Sequence, residues 1–142
     1  MKWQRVTFKN FIHLQRGFDL PKSFMQGGEV PVLGSNCIIG YHNEAKVAPP
    51  GVVTGRSGTL GLVQYTDVPF WPHNTSLWVK DFKGNHPKFV FYRLQTLNLE
   101  TFNSGVSVPT LNRNVLDDLG VSIPSREAQE RIAAILSVYD HL

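Results

Sequence analysis

"VVTGRSGTLG", residues 52–61, decides how the chain is to be read. Gly55, Gly58 and Gly61 fall three apart, with Arg56 between the first two. A phosphate loop of the Walker type needs a lysine before its Ser/Thr, and here Gly58 runs directly into Thr59. A dinucleotide fingerprint needs G-x-G-x-x-G opening a helix; here the spacing is G-x-x-G-x-x-G, and "LGLVQY" (60–65) reads as a strand. "GVVTG" (51–55) before it is also a strand. The stretch is therefore a strand–loop–strand unit, which argues a sheet with irregular loops and not a nucleotide-binding βα unit. The glycines allow positive φ and close backbone approach, while Arg56, Ser57 and Thr59 supply donors. Such a loop holds a DNA phosphate through its backbone N–H groups, sends Arg56 to a guanine edge, or only turns a corner. The residues leave these open.

Outward from the loop, seven of the nine prolines and ten of the twelve glycines fall in the first two thirds of the chain and cut it into short pieces. "EVPVLG" (29–34) and "SLWVK" (76–80) read as further strands. "GNHPKFVFYRLQTLNLETF" changes period: Pro87 suits a first helical position, and Phe89, Tyr92, Leu94 and Leu97 place a helix over about 87–97. "NRNVLDDLG" is a short helix capped by Asn112 or Asn114, with Asp117 and Asp118 in its early turns and Gly120 as its stop. "VSIP" (121–124) is a last strand. From Ser125, an N-cap with Glu127 in the first turn, a helix carries an apolar stripe of Ile132, Ile135, Leu136, Tyr139 and Leu142. The fold class is thus α+β: a twisted, mostly antiparallel sheet with irregular loops and a few helices, followed by the start of a long coiled-coil-type helix. The division is 1–124 for the body and 125–142 for the helix.

The chain has 142 residues and 42% hydrophobic content, enough for one domain with a core. No apolar run reaches a membrane span, and "MKWQRVTFKNF" lacks a signal-peptide core. Cys37 is the single cysteine, which fits a reducing cytoplasm, and it is expected as a small packed residue. Residues 1–113 hold twelve Lys and Arg against six Asp and Glu, a net of +6, whereas residues 114–142 hold two against five, a net of −3. A basic body points to a polyanion partner or to ordinary surface charge. Beyond the loop, donors suited to phosphates and base edges are Arg16, Lys22, Ser35, Asn36, Lys46 and Arg113. His13, His42, His73, His86 and His141 show no metal-ligand spacing. "EAK" (44–46) and "DFK" (81–83) match half of a magnesium nuclease site, a rival reading on Glu44/Lys46 or Asp81/Lys83. A protein–protein adaptor working through the terminal helix is a second rival. Trp3, Trp71 and Trp78 are expected as core or hairpin residues ahead of base-stacking platforms.

Five stretches in order resemble the target recognition domain of the specificity subunit of type I restriction–modification enzymes: "WQRVTFKNFIHLQRG", "EVPVLGSNCIIG", "GVVTGRSGTLGLV", "FWPHNTSLWV" and "SGVSVPTLNRNVLDDLGVSIPSREAQERIAAILSVYD". The resemblance spans essentially the whole chain. It implies a non-catalytic module that reads one half of a split DNA site through the major groove. It implies double-stranded DNA as partner, modification (methyltransferase) subunits, and through them restriction subunits. Long helices would form an antiparallel coiled coil, here with self-association as one form. It implies no cofactor in this chain, since methyl donor, ATP and magnesium belong to partner subunits. The chain carries a single such domain, and its helix stops short of a full spacer.

Overall fold

The computed structural model describes residues 2–105 and 108–140. In chain order the elements are β1 (Gln4–Thr7), α1 (Phe8–Phe11), β2 (His13–Arg16), β3 (Val30–Leu33), β4 (Ile38–His42), β5 (Gly51–Gly55), β6 (Val63–Thr66), β7 (Trp71–Pro72), β8 (Ser76–Asp81), α2 (Pro87–Gln95), α3 (Arg113–Leu116), β9 (Gly120–Ile123) and α4 (Arg126–Asp140). They make three small sheets among the described residues: β1-β9, β2-β8-β5-β6 and β4-β3-β7. Every pairing is antiparallel except β3 with β7. The α+β, mostly antiparallel expectation holds.

β5 is the central strand. All five of its residues are buried, because side chains alternate across the sheet and both faces are covered. Val52 enters the main core with Phe11, Leu14, Leu77, Val79, Val90, Leu94 and Leu116, and Val53 enters a second cluster with Leu33, Phe70 and Trp78. A third cluster of Leu20, Val32 and Trp71 is joined to the second by the Phe18 ring. Gly17 permits this junction: a Cβ there would lie 2.0 Å from the His73 carbonyl oxygen. β1 pairs with β9 from Gln4↔Ile123 to Thr7↔Gly120, closing the two ends of the body on each other.

α2 begins as the sequence indicates, with Pro87 in its first turn and the His86 ring accepting from the Phe89 amide at 3.3 Å. It ends at Gln95, two residues early, where Thr96 caps it. The Asn112 side chain caps α3 through the Asn114 amide at 2.9 Å. The helix spans only Arg113–Leu116, so Asp117 and Asp118 follow it, and Gly120 opens β9. The reason is competition: the Asp117 and Leu119 carbonyls accept from the Lys9 and Phe8 amides of α1. β6 starts at Val63 and not at Leu60, because Gly61 takes a φ of 89° and keeps the preceding residues in the loop. Cys37 is exposed at the β3–β4 turn, where its carbonyl accepts from the Gly34 amide, and is not packed.

α4 is docked on the body by its first half. Ser125 Oγ accepts from the Ala128 amide at 3.2 Å, and Ala128, Gln129 and Ala133 are buried. Gln129 Oε1 accepts from the His86 amide at 2.8 Å, while its Nε2 donates to Asn85 Oδ1 at 2.8 Å and to the Pro124 carbonyl at 3.1 Å. Asn85 Nδ2 in turn donates to the Phe11 carbonyl at 2.7 Å. Of the stripe, Ile132 packs against the core, whereas Ile135 is 60% and Tyr139 65% exposed, with Leu136 also exposed. Leu142 and His141 lie outside the described residues. Val138, on no expected stripe, is exposed as well.

Candidate nucleic-acid interface

The glycine loop between β5 and β6 folds back on itself: a Cβ on Gly55 would meet the Thr59 carbonyl oxygen at 1.9 Å. Its amides are spent internally. Arg56 and Ser57 donate their backbone N–H to the Thr75 carbonyl at 2.9 and 3.1 Å, and Gly58 donates to the Pro109 carbonyl at 2.9 Å. A phosphate cradle of these three amides is therefore closed, and the loop presents side chains. Arg56 is half-buried, and its Nε donates to the Asn74 carbonyl at 2.7 Å. That contact fixes the stem and leaves the two Nη groups. Burial first, and the charge of Arg16 second, lower the Arg56 pKa from its ordinary value, with Asp19 acting the other way.

Other turns meet this loop. The His73 amide donates to the Leu33 carbonyl at 2.9 Å, and Gln64 Nε2 to the Gly34 carbonyl at 2.8 Å, which seat the β3–β4 turn beside it. Asn36 Nδ2 reaches Thr59 Oγ1 at 3.5 Å. Ser57 bridges to Thr110, and the Leu111 amide donates to the Arg56 carbonyl at 2.7 Å. Behind β2, the Phe18 amide donates to the Pro72 carbonyl at 2.8 Å, so that the segment after β2 lies along the 72–75 turn. Arg16 Nη2 stands 3.7 Å from Asp19 Oδ1. Lys22 shares with Asp19, Ile39, His73 and Asn74 the lining of a surface cavity of about 580 Å³. Burial lowers the His73 pKa, which favours a neutral ring in this cavity.

The structure thus brings Arg16, Lys22, Ser35, Asn36, Arg56, Ser57 and Thr59 to one end of the molecule. Two sequence-derived residues are placed differently. Lys46 holds its ammonium 4.9 Å over the Trp71 ring and 5.6 Å over Phe18, with Glu44 4.0 Å away. Arg113 donates from Nη1 to the Leu14 carbonyl at 2.8 Å, in a cleft lined by Phe8, His13, Asn114 and Asp117, where it ties α3 to β2. Asp19 and Asn74 were not legible as site residues. Trp71 and Trp78 are buried, and the exposed Trp3 stands 6.5 Å from the Phe89 ring. The two acid-x-Lys stretches are surface turns: Asp81 Oδ1 accepts from the Lys83 amide, and among the described residues no three His, Cys, Asp or Glu side chains converge as a metal site.

β8 links this end to the helix. It starts at Ser76, opposite Gly55, and its six residues lead toward Asn85, which holds α4. Six strand residues span about 20 Å, so the loop cluster and the docked helix lie at opposite ends of the strand.

The model of the type I restriction modification DNA specificity domain matches residues 1–142. The chain belongs to this family. It is 33% identical over 113 residues to the type I restriction enzyme EcoprrI specificity subunit of Escherichia coli, covering 79% of this chain and 28% of that protein. It is 25% identical over 150 residues to a putative type I specificity subunit of Mycoplasma pneumoniae, covering 100% of this chain and 41% of that protein. The chain therefore spans less than half the length of these relatives. In fold it matches the crystal structure of the type I S subunit from M. genitalium, with a TM-score of 0.85 at 20% identity over 99% of this chain and 39% of that one. It also matches the HsdS subunit of Thermoanaerobacter tengcongensis, with a TM-score of 0.68 at 16% identity over 98% of this chain and 37% of that one. Both the resemblance in sequence and the expected fold class are borne out. No described helix of this family member is long and apolar enough to cross a membrane.

Proposed function

We propose that this specificity-domain chain reads one half of a split double-stranded DNA site with the loop cluster around Arg56, and carries no reaction of its own. The observation that supports this most is the convergence of cationic, amide and hydroxyl side chains from separate turns on one end of the fold, with Arg56 pre-set by Asn74. Cations position a protein on phosphates, while amides and hydroxyls discriminate base edges. Residues 1–124 are the recognition body, and 125–142 begin a helix whose exposed Ile135, Leu136 and Tyr139 pack on another helix, from a second copy or a modification subunit. Methylation and cleavage belong to partner subunits, in the cytoplasm. Lys46 acts at the margin, where its charge is partly engaged, while Arg113 stands apart from the face, tied to the Leu14 carbonyl.

The test is DNA affinity measured across salt. Each phosphate contact contributes a slope of about 0.9 in log affinity against log salt. Arg56→Ala is expected to cost about 1–3 kcal/mol of binding. The sequence alone suggests that its melting temperature barely changes; the Nε bond to Asn74 corrects that to a loss of about 1 kcal/mol of stability. Salt-insensitive binding, or unchanged affinity in Arg56→Ala, contradicts the proposal.

A further inference from the structure

Asp19 is a carboxylate set among the cations of the face proposed above to meet DNA. Its side chain is 78% exposed, and at 3.7 Å its contact with Arg16 is too long for a hydrogen bond. An exposed pair of this kind adds little to stability. On a DNA surface a carboxylate is repelled by phosphates, and its favourable use is to accept from an exocyclic amine, which cytosine N4 presents in the major groove. Asn74, which lines the same cavity as Asp19, holds Arg56 by a fixed stem, with Nε and the backbone N–H already committed to Asn74 and Thr75. Two Nη groups then remain side by side, the arrangement that suits guanine O6 and N7. In one G·C pair those two acceptors and the N4 amine lie on the same groove edge.

We propose that Arg56 and Asp19 together read one G·C base pair, Arg56 donating to guanine O6 and N7 and Asp19 accepting from cytosine N4, with Arg16 steering the carboxylate. This rests on the DNA-reading proposal above and assigns it a base pair. A phosphate contact would use Arg56 alone and would gain from losing the neighbouring negative charge; a base pair uses both residues.

The test is selection of duplexes from a random-sequence pool by the wild-type chain, Arg56→Ala, Asp19→Ala and Asp19→Asn, with sequencing of the bound fraction. The wild type is expected to enrich a motif containing a fixed G·C pair. Arg56→Ala loses preference at that pair by about tenfold. Asp19→Ala loses about fivefold there while binding random duplex more tightly. Asp19→Asn, whose carbonyl oxygen still accepts from N4 while Arg56 keeps the guanine, retains more of the preference than Asp19→Ala. A duplex with 7-deazaguanine at the pair weakens the wild type and leaves Arg56→Ala unmoved. An Asp19→Ala chain that binds every duplex more tightly with an unchanged motif makes Asp19 a counter-ion and overturns the assignment. Equal loss over all sequences in Arg56→Ala does the same by making Arg56 a phosphate contact. A wild-type chain that enriches no motif overturns the DNA-reading proposal itself, an outcome distinct from the two before it. Because the exposed Asp19 side chain makes little of the fold, its variants decide the matter even where Arg56→Ala lowers the melting temperature.

Discussion

Replacing Gln129 by alanine tests how α4 is held. Gln129 is 2% exposed and joins three elements: the cap of α2 through the His86 amide, Asn85 after β8, and the Pro124 carbonyl before its own helix. Truncation leaves those groups without their partner. Each buried polar group left unsatisfied costs about 1–3 kcal/mol, and taking Asn85 Oδ1 and the Pro124 carbonyl, whose bonds to Gln129 are the buried ones, gives a loss of about 3 kcal/mol. At roughly 3 °C per kcal/mol for a chain near this length, the melting temperature falls by about 9 °C. Circular dichroism melts measure it. Gln129→Ala with Asn85→Ala is expected to cost less than the sum of the two, since the second change removes a group already orphaned. DNA affinity of the folded protein stays as it was, because the network sits at the far end of β8 from the loop cluster. A shift under about 2 °C, or strict additivity, refutes the reasoning: the network would then be open to water and the helix loosely attached.

Two further outcomes follow from the same geometry. Burial first and Arg126 second lower the His86 pKa, with Glu130 opposing, and its Nδ1 must stay unprotonated to accept from Phe89. The unfolded chain therefore takes up the proton first: stability is whole above the ordinary histidine value of about 6.5 and falls as pH drops through it toward the lower folded value. Melts between about pH 7.5 and about pH 5.5 are expected to show this decline, flattened in His86→Asn, which keeps a capping oxygen; an equal decline in that variant assigns it elsewhere. On α4, Ile135→Glu with Tyr139→Glu is expected to give a folded monomer that still binds DNA weakly but no longer assembles, by size-exclusion chromatography with light scattering. A double variant that cannot fold would return these exposed side chains to the domain's own core.

The elements read correctly from sequence are those whose signals are local. Pro87 and the apolar spacing mark α2, Ser125 and Glu127 mark α4, and the flanks of the glycine loop mark β5 and β6. The elements missed are α1 and the strands β1, β2, β4 and β7, of two to five residues; β4 pairs with the adjacent β3, and the others depend on distant partners. β1 and β2 have four residues each and pair with β9 and β8, and the two residues of β7 pair in parallel with β3. Turns carrying Arg56, Thr59, Ser35 and Asn36 were legible as donors, but their meeting depends on backbone bonds between turns, which no residue type announces. Asn74 acts through its main-chain carbonyl and so leaves no side-chain signal. Asp19 reads in sequence as one acid in a basic body, and its position beside Arg16, on the cavity that Asn74 also lines, appears only in the fold. Arg113, a donor by type, proves to be committed to Leu14.

The central claim is that DNA meets the loop cluster, and amide hydrogen exchange with and without a selected duplex tests it most directly. Many amides of these turns are bonded to other turns, and exposed turns open easily, so a seated duplex slows their exchange measurably. The account predicts protection concentrated in residues 16–22, 34–39, 56–62 and 73–75, with the cleft beside Arg113 and the β1–β9 pair unchanged. Protection centred on β1, β9 or α4, with the loops around Arg56 exchanging as they do in the free protein, would contradict it.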